Sequence, residues 1–195
     1  MATQAERRAA TRAKLITTAR AYFAKNGYEE THTNTILKMT NLSRGAMYHH
    51  FKDKRALFEA VFIAVSKEAI DHAVLGGRQA SSPIEGLISA CTAWLQVARK
   101  PDIAPILLDQ GPQVLGWERA RDLEEASSLS LMKQSLEKAV AANEVTVPSI
   151  DLAARLLNAL LAEAALIDFH GKTKTATSEQ ETLIRQFIEG LRSTG

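Results

Sequence analysis

Between Ser43 and Lys54 the chain reads Ser-Arg-Gly-Ala-Met-Tyr-His-His-Phe-Lys-Asp-Lys. Arg44, Tyr48, His49 and His50 are hydrogen-bonding groups, while Met47 and Phe51, four apart, make the one apolar stripe that a short helix would bury. A guanidinium fork can hold O6 and N7 of a guanine, the small Ala46 can meet a thymine methyl, and the bare Gly45 lets the backbone come close to a duplex. A short helix that is cationic at its start and carries aromatic donors behind has the composition required of an element entering a major groove. The adjacent pair His49-His50 diverges on a helix, whereas metal-binding histidines on one face want i, i+4 spacing, so no metal is expected there.

Such a helix works only if other elements aim it. The stretch from Thr33 to Thr40 predicts a preceding short helix that starts with hydroxyl residues able to cap it and places Ile36 and Leu37 inward. Asn41-Leu42-Ser43 then makes a three-residue turn. Asn tolerates the left-handed conformation that ends a helix, Leu42 is an apolar plug, and Ser43 is a good N-cap for the next helix. Two short helices joined this way form a helix-turn-helix.

With these residues in place, the segment resembles the TetR family of one-component transcriptional regulators. The recognition segment of that family commonly runs Ser-Lys/Arg-Gly-small-apolar-Tyr-x-His-Phe-x-x-Lys, matched here from Ser43 to Lys54. An apolar-periodic helix ending in Asn26-Gly27-Tyr28, followed by Thr31 and Ile36, matches as well, so the resemblance covers about residues 8 to 70. Leu37 and Asn41 depart from the Ala and Gly more often found at those positions. The resemblance implies phosphate contacts from Thr33, Tyr48, His50 and Lys54 that fix register, beside base reading by Arg44 first and by His49 and Asn34 further. Ser43, Gly45 and Ala46 complete the candidate DNA-contacting set. It also implies a two-fold homodimer on a near-palindromic operator with half-sites about one helical turn apart, ~34–36 Å, and release by a small-molecule effector, most simply as a repressor.

Charge agrees with this placement. Residues 1–55 hold eleven Lys/Arg against four Asp/Glu, a surplus of seven, while residues 56–195 hold thirteen against eighteen, a deficit of five, which together leave the net +2 of the chain. A basic first quarter on an acidic body is an electrostatic footprint for a polyanion at one end of the molecule. Arg7, Arg8, Arg12 and Lys14 lie on or before the first half of helix 1, where they either brush phosphates or stand as ordinary solvated arginines and lysines. No apolar run approaches the ~20 residues that span a membrane, and the start lacks the apolar core of a secretory signal, so a cytoplasmic protein is expected. Cys91 is the only cysteine and sits on an apolar stripe, as a small buried hydrophobe does; a redox-sensing thiol is the alternative.

The whole chain reads as all-α, with about nine helices. A three-helix DNA-binding domain occupies residues 8–70, with the motif at 32–51, and a helical ligand-binding and dimerisation domain occupies 71–195. Thr3-Gln4-Ala5-Glu6 fits a capping box for helix 1, which should stop at Gly27. Asp53 can cap a long helix from Lys54 to about Leu75, and residues 76–82 read as the clearest linker. Pro83 opens an apolar-striped helix that Lys100-Pro101-Asp102 breaks. A short helix from about Ala104 should end at Gly111-Pro112, and a longer one should run from about Val114 to Ala142. The segment from Gln113 to Arg119 is similar to a stretch of TetR-like effector domains. Ser149 should cap a helix from Ile150 to Phe169 that is apolar nearly all round and therefore buried on several sides. After a polar loop, Ser178 should cap the last helix. Together the last two helices, about 150–169 and 178–191, look like a dimer face.

Candidates for an effector pocket are Phe62, Trp94, Gln110, Trp117, Met132, Asn158 and Glu163, with His72 and Asp109 as further polar groups on mixed helices. Asn158 and Glu163 stand out because polar groups within an apolar helix cost stability unless paired. No cofactor is expected. An enzyme is the competing class, but there is no HExxH, no Gly-rich phosphate loop and no nucleophile with an evident base partner. A helical interaction module without DNA binding is a third reading, opposed by the intact Arg44, Tyr48 and Lys54.

Overall fold

The computed structural model describes residues 3–171 and 177–193, and these are almost entirely helical. α1 (Gln4–Glu30), α2 (Thr33–Thr40), α3 (Arg44–His50), α4 (Lys54–Gly77) and α5 (Pro83–Ala98) are followed by a π-helical stretch, Pro105–Gln110, that passes directly into α6 (Gly111–Leu115). α7 (Trp117–Glu124) continues through a second π-helical stretch, Glu125–Leu129, into α8 (Ser130–Ala141), and α9 (Ile150–His170) and α10 (Thr177–Glu189) complete the chain. With 105–115 and 117–141 each taken as one continuous rod, nine helices are present among the described residues, and there is no strand beyond the single bridge between Val145 and Arg192.

The chain forms two compact units, Met1–Ser66 with Pro101–Ala120, and Lys67–Lys100 with Arg121–Gly195. In the first, Thr3 and Glu6 close the expected capping box on α1, and Gly27, at φ +80°, interrupts its regular geometry where a stop was expected. Leu15, Ala19 and Phe23 are its fully buried side chains, and Phe23 meets Tyr28 and Phe58 in an aromatic cluster with centroids 5.2–5.7 Å apart. The 101–120 segment is tied into this unit at four points. Arg20 pairs with Asp102 at 2.5 Å, and Gln110 Nε2 donates to the Phe23 carbonyl at 3.0 Å. Arg55 Nε and Nη2 donate to the carbonyls of Val114 and Leu115, capping the C-terminal end of α6, and Arg119 meets Glu59 at 2.5 Å.

The second unit packs α5 against α8, α9 and α10 around Ile84, Leu87, Ile88, Cys91 and Leu95. Ser82 caps α5 and Pro83 occupies its first turn, while Glu144 accepts the Ile84 amide at 2.8 Å. Where α5, α9 and α10 meet, Arg99 pairs with Asp168 at 2.5 Å and donates to Gln180, whose Nε2 donates on to Asp168 at 2.8 Å.

Several sequence-based expectations need correction. No hydroxyl caps α2: its N-cap is His32, without a side-chain bond, and the hydroxyl of the preceding Thr31 is turned back onto the carbonyls of Gly27 and Tyr22. The first two residues of the linker expected at 76–82 are helical. Gly76 and Gly77 extend α4, and since a Cβ there would meet Ala93 at 2.6 Å and the Gly86 carbonyl at 2.8 Å, the absent side chains permit close packing on α5. The helix near residue 104 does not end at Gly111-Pro112 but turns from π to α there, and the break falls at Gly116, φ +78°. Ser178 is not a cap; α10 begins one residue earlier, and the Ser178 carbonyl accepts the hydroxyl of Thr182. The polar loop expected before it falls largely on 172–176, outside the described residues.

Candidate nucleic-acid interface

The turn between α2 and α3 is built from three local interactions. Asn41 takes the left-handed conformation, φ 52° and ψ 44°, and its amide closes α2; the Leu42 amide returns to the Leu37 carbonyl at 3.1 Å. Ser43 Oγ then accepts the Ala46 amide at 3.1 Å, a cap worth about 1 kcal/mol to a helix this short. Asp53 repeats the device for α4, accepting the Ala56 amide at 2.6 Å.

Met47 and Phe51 bury the inner side of α3, at 0% and 4% exposure. Arg44, Gly45, Tyr48 and His49 are exposed on the outer side, Ala46 and His50 are half-buried, and Tyr48, at 44% exposure, is a surface group and not a core aromatic. Asn34 is exposed on α2 and Thr33 is half-buried at its start. An open cleft along the turn is lined by Asn34, Leu37, Lys38, Asn41, Leu42 and Ser43. Lys38 was not among the sequence candidates, although its position four residues after Asn34 on the same helix face could have pointed to it.

Lys54 is placed differently from its neighbours. Its ammonium lies 4.2 Å from the centre of the Tyr28 ring and donates to the Glu29 carbonyl at 3.2 Å, so it holds the end of α1 beyond the Gly27 kink as well as facing solvent. The Tyr28 hydroxyl has its pKa raised, by burial first and then by Glu29 and Asp53. His49 and His50 stack edge to face at 5.5 Å, and the His50 pKa is lowered by burial, by His49 and by Arg8 and Arg12.

The effector-pocket candidates divide between the units. Phe62 (4% exposed), Gln110 (8%) and the exposed Trp117 belong to the first. Phe62 lies against Gly111, where an added Cβ would come within 2.4 Å of its ring, and the Gln110 side-chain oxygen is buried without a hydrogen-bond partner. Trp94, Met132, Asn158 and Glu163 belong to the second, where Asn158 is half-buried and Glu163 lies on the exposed side of α9 and is not embedded among apolar groups. His72 and Asp109 also fall in different units, the second and the first. Among the described residues no group of three His, Cys, Asp or Glu could hold a metal, and no helix is long and apolar enough to cross a membrane.

Residues 15–61 match the family model described as bacterial regulatory proteins, tetR family, and residues 84–191 match that of the tetracyclin repressor-like C-terminal domain. The chain is 29% identical to an HTH-type transcriptional repressor of Mycobacterium tuberculosis over 129 residues, 65% of this chain and 67% of that one. It is 31% identical to the HTH-type transcriptional regulator UidR of Escherichia coli over 77 residues, 40% of this chain and only 36% of the relative. A crystal structure of a TetR-family transcriptional regulator from Pectobacterium atrosepticum superposes with a TM-score of 0.79 at 28% identity, covering 99% of both chains.

Proposed function

The chain belongs to the TetR family of transcriptional regulators, and from that premise we propose that it binds a near-palindromic operator as a homodimer and releases it when a small molecule occupies its C-terminal domain. It is a DNA-binding transcriptional regulator of a family that is not enzymatic. The observation that carries the proposal is α3: a capped, seven-residue helix whose apolar side is consumed by Met47 and Phe51 and whose other side presents Arg44, Tyr48 and His49 to solvent. In this reading Arg44 reads a base edge with Ala46, His49 and Asn34 beside it, while Thr33, Tyr48, His50 and Lys54 set the register on phosphates.

One such helix reads too few base pairs for useful specificity, which is the physical reason for pairing two. The apolar side chains left open on the last two helices support the pairing. Leu152 and Leu156 on α9, and Leu183 and Phe187 on α10, are each one turn apart and 51–62% exposed. A four-helix face formed with a second copy would cover them. Release needs the effector to favour one conformation over another, and the 101–120 segment, bonded to α1 and α4 through Gln110, Arg20 and Arg55, is suited to relay such a bias to the DNA-binding helices.

Fluorescence anisotropy against the DNA flanking the chain's own gene and against scrambled DNA, at two salt concentrations, tests the first half. Tight, sequence-dependent binding with a steep salt slope is expected, and binding indifferent to sequence contradicts it. Sedimentation of Phe187→Asp tests the second: monomers with little operator affinity are expected, and a monomer that binds the operator as well as the parent chain rules the dimer out.

A further inference from the structure

Among the described residues, the basic residues at the start of α1 have no ion-pair partner. Glu6 is the only carboxylate in residues 1–28, and it serves the helix cap: Thr3 N donates to Glu6 Oε2 at 2.6 Å, while the Glu6 amide donates to Thr3 Oγ1 at 3.2 Å. Among the described residues neither Arg8 nor Arg12 forms an ion pair, whereas Arg99, Arg119, Arg155, Arg185 and Arg192 later in the chain all do.

These two arginines are also aimed. Residues 8 and 12 lie one turn apart on one face of α1. The Arg12 guanidinium sits over the Phe51 ring, 5.1 Å from its centre, and that ring lies 6.4 Å from the ring of His50. Phe51 ends α3, so the cation is held at the C-terminal edge of the recognition helix by a side chain whose own position is fixed by burial. His50 and Arg12 thus both lie against Phe51, and Arg8 is one turn before Arg12 on the same face; burial, His49 and then these two arginines lower the His50 pKa. Arg8 and Arg12, permanent cations on one face without an ion-pair partner among the described residues, repel one another, and a polyanion relieves that repulsion.

We propose that Arg8 and Arg12, with His50, form a DNA-phosphate clamp outside the helix-turn-helix, which extends the contacted backbone beyond the bases that α3 reads. The site takes a phosphodiester of duplex DNA, carries no sequence information, and uses Phe51 as the positioning residue for Arg12. It rests on the DNA-binding reading and adds a second set of backbone contacts to it.

The test is the salt dependence of DNA binding by the full chain, read by anisotropy on a specific and a random duplex, for the parent, Arg8→Ala, Arg12→Ala, Arg12→Lys and the remote control Lys67→Ala. Each alanine variant should lower the salt slope by ~1 per subunit and weaken both duplexes by the same factor, leaving their affinity ratio intact. Arg12→Lys, which keeps the charge, and Lys67→Ala should keep the parent slope. Trimming the outer ends of the specific duplex should weaken the parent more than it weakens Arg12→Ala. If Arg12→Ala loses its fold by circular dichroism, Arg8→Ala, whose guanidinium has no ring contact among the described residues, gives the same reading. Parent-like slopes in both alanine variants, with sequence-specific binding preserved, overturn the clamp and leave the regulator reading standing. Failure of the parent chain to bind any duplex overturns both.

Discussion

Gln110 and Phe23, 87 positions apart, are joined by a bond from the Gln110 side-chain amide to the Phe23 backbone carbonyl, and the Gln110 residue is only 8% exposed. Replacing Gln110 with Leu leaves that carbonyl without its side-chain donor inside the protein, which should cost about 1–3 kcal/mol in urea unfolding. The same variant should blunt release by any effector found in a screen, because the tie between the 101–120 segment and α1 is cut. An unchanged unfolding midpoint would show that the bond carries no net stability.

Gly111 is a steric requirement. A Cβ there would stand 2.4 Å from Phe62 Cε2 and 2.9 Å from Cδ2. Gly111→Ala should destabilise by about 1–3 kcal/mol, and Phe62→Leu, which removes the ring, should recover part of that loss when combined with it. Additive losses in thermal unfolding would mean that the π-to-α turn accommodates the methyl by moving away from the ring.

Arg44 and Lys54 should separate when stability and DNA binding are measured side by side. Arg44 is exposed with no ion pair among the described residues, so Arg44→Ala should leave the melting temperature unchanged, cost ~1–3 kcal/mol in specific binding and relax preference at one base position. Lys54 also packs on Tyr28 and bonds Glu29, so Lys54→Ala should lower both the melting temperature and the affinity for every duplex. Equal losses from the two variants on specific and random DNA would contradict the assigned roles.

Cys91 should be silent in the native state. Its side chain is buried and its thiol pKa is pushed up to about 12 by that burial, so the thiolate is scarce at any pH between 6 and 9. A thiol-reactive disulfide reagent at pH 8 should label it only after denaturant unfolds the chain, and mild oxidants should leave DNA binding untouched. Rapid labelling of the folded protein would reopen redox sensing.

The helix-turn-helix was legible because each of its determinants acts over three or four residues: Asn41 ending α2, Ser43 starting α3, Asp53 starting α4, and the Met47–Phe51 spacing that assigns the buried side. Where the outcome depends on a distant partner, the local pattern misled. Gly76-Gly77 has the composition of a linker, and only the arrival of Ala93 and Gly86 on α5 makes it a site of close helix packing. Gly111-Pro112 has the composition of a stop, and only Phe62 shows why a residue without a side chain is needed there within a continuous rod. Thr33 has the composition of a cap, yet Thr31 is the threonine whose hydroxyl is consumed, and it is consumed by α1. Residue type along a single helix singles out the effector candidates but carries no information about which compact unit a side chain joins, as Phe62 and Met132 illustrate.

The leucines and phenylalanine left open on α9 and α10 bear on dosage. If a second copy alone covers them, operator occupancy in the dilute regime rises with the square of the chain's abundance, so halving expression reduces repression more than twofold. A promoter that this regulator itself restrained would then settle at a level set by how strongly Leu152, Leu156, Leu183 and Phe187 hold two copies together, and substitutions among them would retune gene output without touching a single DNA contact.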